Sequence, residues 1–255
     1  MEILPIIVFR ISGKYAHFRR PYTNVSSLSY PFPPRPTIIG LLGAILGIQK
    51  DKVAKIFNEK KLKIAVEIEK HIKTFTHVTN FRQAGIGNID YSIIKPKKSW
   101  NPRKLKNTPA YNESTQIPME LLRNPSFLIH VSICDNNIYC ELNNRLKSNR
   151  CVYTPCLGLS EFLANIEYIN NYEVEKTEPG EYETKTIVPK DECKLLINKL
   201  DPDKHQIQEL KVPHLEIESR KFSYRQYLVN MKPDTLPIKM KLNTYKMKNT
   251  ILCFL

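Results

Sequence analysis

The chain has 255 residues, enough for one large domain or two small ones with cores of their own, and its 39 Lys and Arg against 25 Asp and Glu give a net charge of +14. That balance points to a polyanionic partner, nucleic acid or an acidic membrane surface, and the excess is confined to residues 1–150, which carry 24 basic and 10 acidic side chains, while 151–255 carry equal numbers of each. Six cysteines without a C-x-x-C pair and without a signal sequence before them argue against a zinc ribbon or a secreted disulfide framework, and the longest uncharged apolar run, Thr37–Ile48, falls short of the roughly 20 residues that cross a bilayer, so reduced thiols, a cytoplasmic location and no membrane span are expected.

Residues 3–11 (ILPIIVFRI) are a β-branched apolar run ended by Gly13, the predicted first strand. The loop GKYAHFRRPYTNVSSLSYPFPPRP follows, and its four prolines between 31 and 36 fix an extended path, so helix is predicted only after Pro36. Thr37 is placed to cap a helix from Ile38 to about Ile48, and Asp51 to cap a continuation with Val53, Ile56 and Phe57 on one face. Leu62, Ile64, Val66 and Ile68 alternate with Lys63, Ala65, Glu67 and Glu69, which predicts a strand with one buried face. Phe127–Ile133 reads as a strand, Glu141–Asn149 as a short polar helix and Phe162–Ile169 as a further strand.

Setting aside an insert at about 72–126, the order is βαββαβ, an α+β, ferredoxin-like arrangement shared with RNA-recognition domains, over residues 1–170. The insert opens with a predicted strand, IKTFTHVTNF, and its stretch 91–112 holds Lys95, Lys97, Lys98, Arg103, Lys104 and Lys106 with no acidic residue. An insert so long and basic suits function better than connection. Turn signals at Pro179-Gly180 and Pro233-Asp234 then predict a small, mostly β second domain over 171–255.

Gly40, Gly43 and Gly47 lack the context of either phosphate-binding loop, and their spacing instead clears one helix face for close packing against a sheet or a partner helix. In GKYAHFRRPY, the residues Lys14, His17, Arg19, Arg20 and Tyr22, interleaved with Tyr15 and Phe18, supply cations for phosphates and rings for unpaired bases. The alternative is a loop whose rings enter the core and whose charges are solvated. Arg35, held among prolines, reads as a rigid phosphate contact or an intramolecular ion-pair partner. Trp100, the one tryptophan, sits inside KPKKSWNPRKLK, where wedging against a base or a neighbouring subunit suits it better than anchoring a core. His17, Tyr22 and Lys14 could in principle serve as base, acid and cation of a metal-independent ribonuclease. His71, His77 and His130 fall in or beside strand-like segments and read as structural. No metal-ligand set, cofactor motif, H-E-x-x-H or G-x-S-x-G is present.

The stretch VFRISGKYAHFRRPYTNVSSLSYPFPPRPTIIGLLGAILGI closely resembles the start of the fifth family of CRISPR-associated RAMP proteins, in the forms found with type I-B Cascade. YTPCLGLSEFLANIEYI at 153–169 and TQIPMELLRNP at 115–125 are similar to two further segments of that family, so the resemblance spans most of residues 1–169. It implies an RNA-recognition-like domain with an inserted β-hairpin thumb that grips the 5′ handle of the CRISPR RNA (crRNA) in an antiviral interference complex. It also implies contacts with the backbone subunit and the large subunit, and with target DNA only through the complex. The basic insert becomes the thumb, with Lys97, Lys98, Trp100, Arg103, Lys104 and Lys106 as RNA contacts beside Lys14, His17, Arg19, Arg20, Tyr22 and Arg35. The type I-C branch of the family cleaves precursor RNA with Tyr, Lys and His. Tyr22 matches that tyrosine, but no equivalent Lys-His pair stands in the insert, and Lys70-His71 lies at its start in a different setting. A non-catalytic binding and assembly role is therefore expected, with precursor-crRNA endoribonuclease and general single-stranded RNA-binding module as the rival readings.

Overall fold

In the first strand, β1 (Ile3–Ser12), alternate residues enter two different apolar clusters: Ile7, Phe9 and Ile11 face one side and Ile6 and Val8 the other. A strand buried on both faces belongs at the centre of a layered fold, and β1 takes that place. The computed structural model describes residues 3–23, 26–82, 114–218, 221–248 and 250–255.

Two short strands, β2 (Tyr15–Ala16) and β3 (Phe18–Arg19), follow β1, and then β4 (Ser29–Tyr30), helices α1 (Arg35–Leu46) and α2 (Lys50–Ile56), and strands β5 (Leu62–Ile68) and β6 (Lys73–Arg82). After residues 83–113 come β7 (Ser114–Arg123), β8 (Ser126–Ile133), α3 (Asn136–Lys147) and the long β9 (Asn165–Thr177). The remaining strands are β10 (Glu181–Thr184), β11 (Val188–Pro189), β12 (Cys193–Leu195), β13 (Ile207–Glu218), β14 (Lys221–Asn230), β15 (Leu236–Met240), β16 (Thr244–Met247) and β17 (Thr250–Leu252). The fold is thus mostly β. Its main sheet has the order β17-β16-β9-β1-β8-β5, antiparallel at every pairing.

The main core lies between this sheet and the helices, where Ile38, Leu42 and Ile45 of α1 and Leu142 and Leu146 of α3 meet Phe9, Ile64, Phe127 and Ile129. Helix α1 begins at Arg35, earlier than the prolines suggest. Pro36 occupies its first turn, where the missing N–H has no intrahelical acceptor to lose and the fixed φ suits the helix. Thr37 therefore lies inside the helix, and Pro34 stands at the cap. The helix α3 is capped by Asp135, whose carboxylate accepts from the backbone of Asn137 and Ile138, so it starts five residues before the polar run that predicts it. The strand expected at Phe162–Ile169 is displaced to Asn165–Thr177, because Phe162 is held in a turn through its N–H to Leu159 O and its carbonyl to Leu157 N.

Residues beyond 170 contribute both to this core and to an apolar cluster of their own, with Val188, Leu236, Ile238 and Met240. Residue 170 falls inside β9, and Val212, Tyr227, Val229, Met231 and Leu255 enter the main core. The outer edge of β5 is covered by backbone bonds from Ile187 N to Val66 O (2.9 Å) and from Leu255 N to Ile64 O (2.7 Å), which removes an open sheet edge. Among the described residues no helix is long and apolar enough to cross a membrane.

Candidate nucleic-acid interface

The chain leaves β1 through Gly13, where a Cβ would lie 2.7 Å from Leu157 Cδ1 and 3.0 Å from Leu163 O, so a larger residue would press on the 157–163 turn. Beyond it, β2 adds to the hairpin of β6 and β7, pairing Tyr15 with Arg123 and Ala16 with Leu122, while β3 pairs with β4. Ala16 and Phe18 consequently point into the core, and Tyr15 and Arg19 point out.

These elements enclose a concavity of about 670 Å³, lined by Tyr15, Arg19, Phe75, His77, Met119 and Phe162 among others. The Tyr15 ring lies 5.5 Å from that of Phe75 and 6.3 Å from that of Phe162, and the Lys14 ammonium sits 5.7 Å over the Tyr15 ring. Strand alternation in β6 brings Phe75, His77 and Thr79 to this one face. Period-two reading of KTFTHVTNF could have found Phe75 and His77; Phe162 had no such signal, since its position depends on the turn that folds it back.

The loop residues singled out in the sequence divide into two groups. Lys14, Arg19 and Tyr22 are exposed, and Lys14 and Arg19 form no ion pair among the described residues. Arg20 is half-buried: its Nε donates to Ser29 O at 2.9 Å and its guanidinium lies 5.4 Å over the Tyr30 ring, which leaves the rest of the group open to the surface.

His17 and Arg35 are not surface groups, and here the reading of them as RNA contacts is corrected. His17 is 1 % exposed; its Nδ1–H donates to Glu120 O (2.8 Å), so its Nε2 accepts from the Ser27 hydroxyl (2.9 Å). Burial holds its pKa below the ordinary 6.5, with the Glu120 carbonyl opposing, so the ring stays neutral near pH 7. Arg35 is 2 % exposed, and its two Nη atoms donate to Leu62 O (2.8 Å) and Leu255 O (3.1 Å), tying the start of α1 to β5 and to the last residue of the sequence. No Asp or Glu side chain forms an ion pair with it among the described residues, and burial lowers its pKa, with Tyr227 and Glu59 opposing. It is an internal tie. Lys97, Lys98, Trp100, Arg103, Lys104 and Lys106 lie outside the described residues.

Chemically, the concavity offers apolar ring faces beside two unpaired cations, a combination that accepts an unstacked base and its phosphate. No group of three His, Cys, Asp or Glu side chains among the described residues is placed to hold a metal ion.

The sequence matches the family described as CRISPR-associated protein (Cas_Cas5) over residues 6–231. No curated protein matches it. Among solved structures, a CRISPR protein from Archaeoglobus fulgidus is similar in fold with a TM-score of 0.56 at 12% identity, over 98% of each chain. A chain of a CRISPR RNA-guided surveillance complex is similar with a TM-score of 0.52 at 13% identity, over 92% of this chain and 90% of that one.

Proposed function

Because this chain belongs to the CRISPR-associated Cas5 family, we propose that it is a non-catalytic subunit of a Cascade-type interference complex and grips the 5′ handle of the crRNA. The observation that carries this reading is the family match across residues 6–231. The concavity supports it, since rings and free cations lie together on the basic N-terminal part of the chain. The likeness to a chain of an RNA-guided surveillance complex favours the assembly role.

In this reading β1, α1, β5, β8, α3 and β9 form a ferredoxin-like frame. Its strand order β9-β1-β8-β5 places the fourth strand beside the first and the third between the first and second. The β6–β7 hairpin is the base of the thumb, and the basic segment 91–112 falls between its two strands in the sequence. Specificity comes from splayed handle bases stacked on Tyr15, Phe75 and Phe162, and affinity from phosphates met by Lys14, Arg19 and the thumb. Backbone and large subunits are the expected protein partners, and the complex works in the cytoplasm in antiviral defence. A catalytic role is disfavoured because His17, the best candidate base of the loop, has both ring nitrogens engaged inside the fold.

The test is binding of labelled handle RNA to the purified chain, compared with the Phe75→Ala and Arg19→Ala variants. Saturable binding that both substitutions weaken is expected, each ring stacked on a base being worth about 1–3 kcal/mol. Wild-type affinity in both variants would overturn the placement of RNA in this concavity.

A further inference from the structure

A second depression, of about 450 Å³, adjoins the concavity described above and is continuous with it at Arg19 and Leu159, which line both. It runs over the start of α1 at Pro34, Pro36 and Thr37, and on its far side stands the β13–β14 hairpin, through Pro213 and Phe222.

The pairing register decides which hairpin residues look toward this depression. Val212 pairs with Arg225 and Leu210 with Tyr227; Val212 and Tyr227 lie in the main core, and Leu210 packs against it. Side chains alternate along a strand, so Lys211 and Pro213 of β13 and Phe222 and Tyr224 of β14 make up the opposite face. Pro213 stands directly across from Tyr224, and directly opposed residues are side-chain neighbours, which brings the Tyr224 ring to the edge of the depression that Pro213 lines.

Tyr224 is 41 % exposed, and the Lys211 ammonium sits 5.8 Å over its ring. Lys211 is itself exposed and forms no ion pair among the described residues. The acids beside these strands are already engaged: Glu209 by Lys190 at 2.6 Å, and Asp191 and Glu192 by Arg225 at 2.7 and 2.6 Å. Behind the pair, the buried Tyr30 hydroxyl donates to Lys211 O at 3.0 Å and fixes the strand against the loop that carries Arg19 and Tyr22. Tyr22 and Tyr224 both add to burial in raising the pKa of that hydroxyl above its ordinary 10, so the two exposed rings flank it.

The two ends of this continuous surface repeat one arrangement. At the first, the Lys14 ammonium lies 5.7 Å over the Tyr15 ring; at the second, Lys211 lies over Tyr224 at nearly the same distance; and Arg19, also exposed and without an ion pair among the described residues, lines the passage between them. A single strand of nucleic acid repeats a base and a phosphate along its length, and alternating rings and cations match that repeat.

We propose that an RNA strand held in the concavity continues past Arg19 and is gripped at a second point by the β13–β14 hairpin, with a base stacked on Tyr224 and a phosphate met by Lys211. The inference rests on the reading of the concavity as an RNA site. It gives the C-terminal part of the chain, whose charges sum to zero, a direct share in RNA binding.

The test uses the purified full chain and a labelled uridine decaribonucleotide, a length within the roughly 4–16 nucleotides that single-strand grooves occupy. Saturable binding is expected for the wild type. Tyr224→Ala should weaken it about fivefold or more with the salt slope nearly unchanged, whereas Tyr224→Phe, which keeps the ring, should bind within about twofold of wild type. Lys211→Ala should lower the log–log salt slope by about 0.7. Both positions are exposed, so the Tm of each variant should stay within about 2 °C of wild type. If Phe75→Ala and Arg19→Ala bind more weakly but Tyr224→Ala binds like wild type, or Tyr224→Phe loses as much as Tyr224→Ala, or Lys211→Ala keeps the full slope, the hairpin contact is overturned and the concavity stands. Wild-type affinity in Phe75→Ala and Arg19→Ala, or no binding by the wild-type chain, would overturn the reading of the concavity and the continuous path with it.

Discussion

One substitution made at two glycines should move stability in opposite directions. Gly158 has φ 95°, and a Cβ built there would overlap the His17 carbonyl oxygen and lie 2.8 Å from its carbonyl carbon. Both obstacles are backbone, so no side chain can swing aside. Adding Cβ at such a φ costs about 1–3 kcal/mol, and pushing apart packed segments adds about 1–3 kcal/mol, so about 3 kcal/mol, inside the summed range of about 2–6, is a fair working figure for Gly158→Ala. The bond from His17 N to Leu157 O (3.1 Å) goes with it, and so does the placement of Phe162 on the concavity. Gly40→Ala instead enters open space in a helix interior and should stabilise by roughly 0.5–1 kcal/mol. At about 2–4 °C per kcal/mol for a chain of this size, Tm should fall by roughly 6–12 °C in the first variant and rise by about 1–4 °C in the second. Thermal unfolding followed by circular dichroism reads both. A Gly158→Ala protein melting within about 2 °C of wild type would refute the reasoning, because no relaxation short of moving the His17 backbone relieves the overlap.

Burial lowers the pKa of His17 and of His214 below the ordinary 6.5, against the opposing pull of the Glu120 carbonyl and of Glu59 respectively. The unfolded chain therefore takes up protons first as pH falls, and the stability these rings contribute is complete above about pH 7 and declines below about 6.5; a Tm series over pH should show this, with a shallower decline in His17→Gln, and a flat profile would contradict it. Replacing Lys97, Lys98, Arg103, Lys104 and Lys106 with Ala should leave Tm nearly unchanged and reduce the log–log salt slope of RNA binding by up to about 3.5, whereas Trp100→Ala should lower affinity by about 1–3 kcal/mol with little change of slope; a five-fold variant that binds like wild type would show those charges to be merely solvated. Precursor RNA incubated with the protein without metal should remain intact, and a product ending in a 2′,3′-cyclic phosphate that disappears in Tyr22→Phe would establish the endoribonuclease reading instead.

What the sequence revealed of the fold follows from the reach of each signal. The alternation in Leu62–Ile68 is local and strong, and β5 has those bounds. The prolines before α1 are equally local, but the rule that proline blocks a helix fails in the first turn, and so the start at Arg35 was missed. The strand β9 was misplaced because most of its length, NNYEVEKT, is polar; it forms by pairing with β1 and β16, which lie far away in sequence. Arg35 shows the limit most clearly. Its acceptors are 27 and 220 residues distant, and nothing in YPFPPRP distinguishes a guanidinium aimed at two buried carbonyls from one aimed at a phosphate. The concavity was half legible for the same reason: Tyr15 and Arg19 share a segment, but Phe75 and Phe162 reach it only through the pairing of β2 with β7 and the turn at Gly158.

The charge of the N-terminal part is consequently less available than its total suggests. Arg10 is held by Glu69 and Glu167 on the sheet, Arg35 is internal, and Arg20 is half committed to Ser29 and Tyr30. Lys14 and Arg19 are the cations of the loop that remain free for a phosphate among the described residues. At roughly 0.7 per single-strand phosphate, these two account for a salt slope of about 1.4, less than half of what the five cations between 97 and 106 could supply. If the chain grips RNA through the concavity, most of the salt dependence must therefore arise in the basic insert, while the concavity itself supplies stacking, which salt hardly touches. Arg19→Ala and the five-fold insert variant should thus differ in kind as well as in size: a small drop in slope for the first, and for the second a large one with the contribution of Phe75 intact.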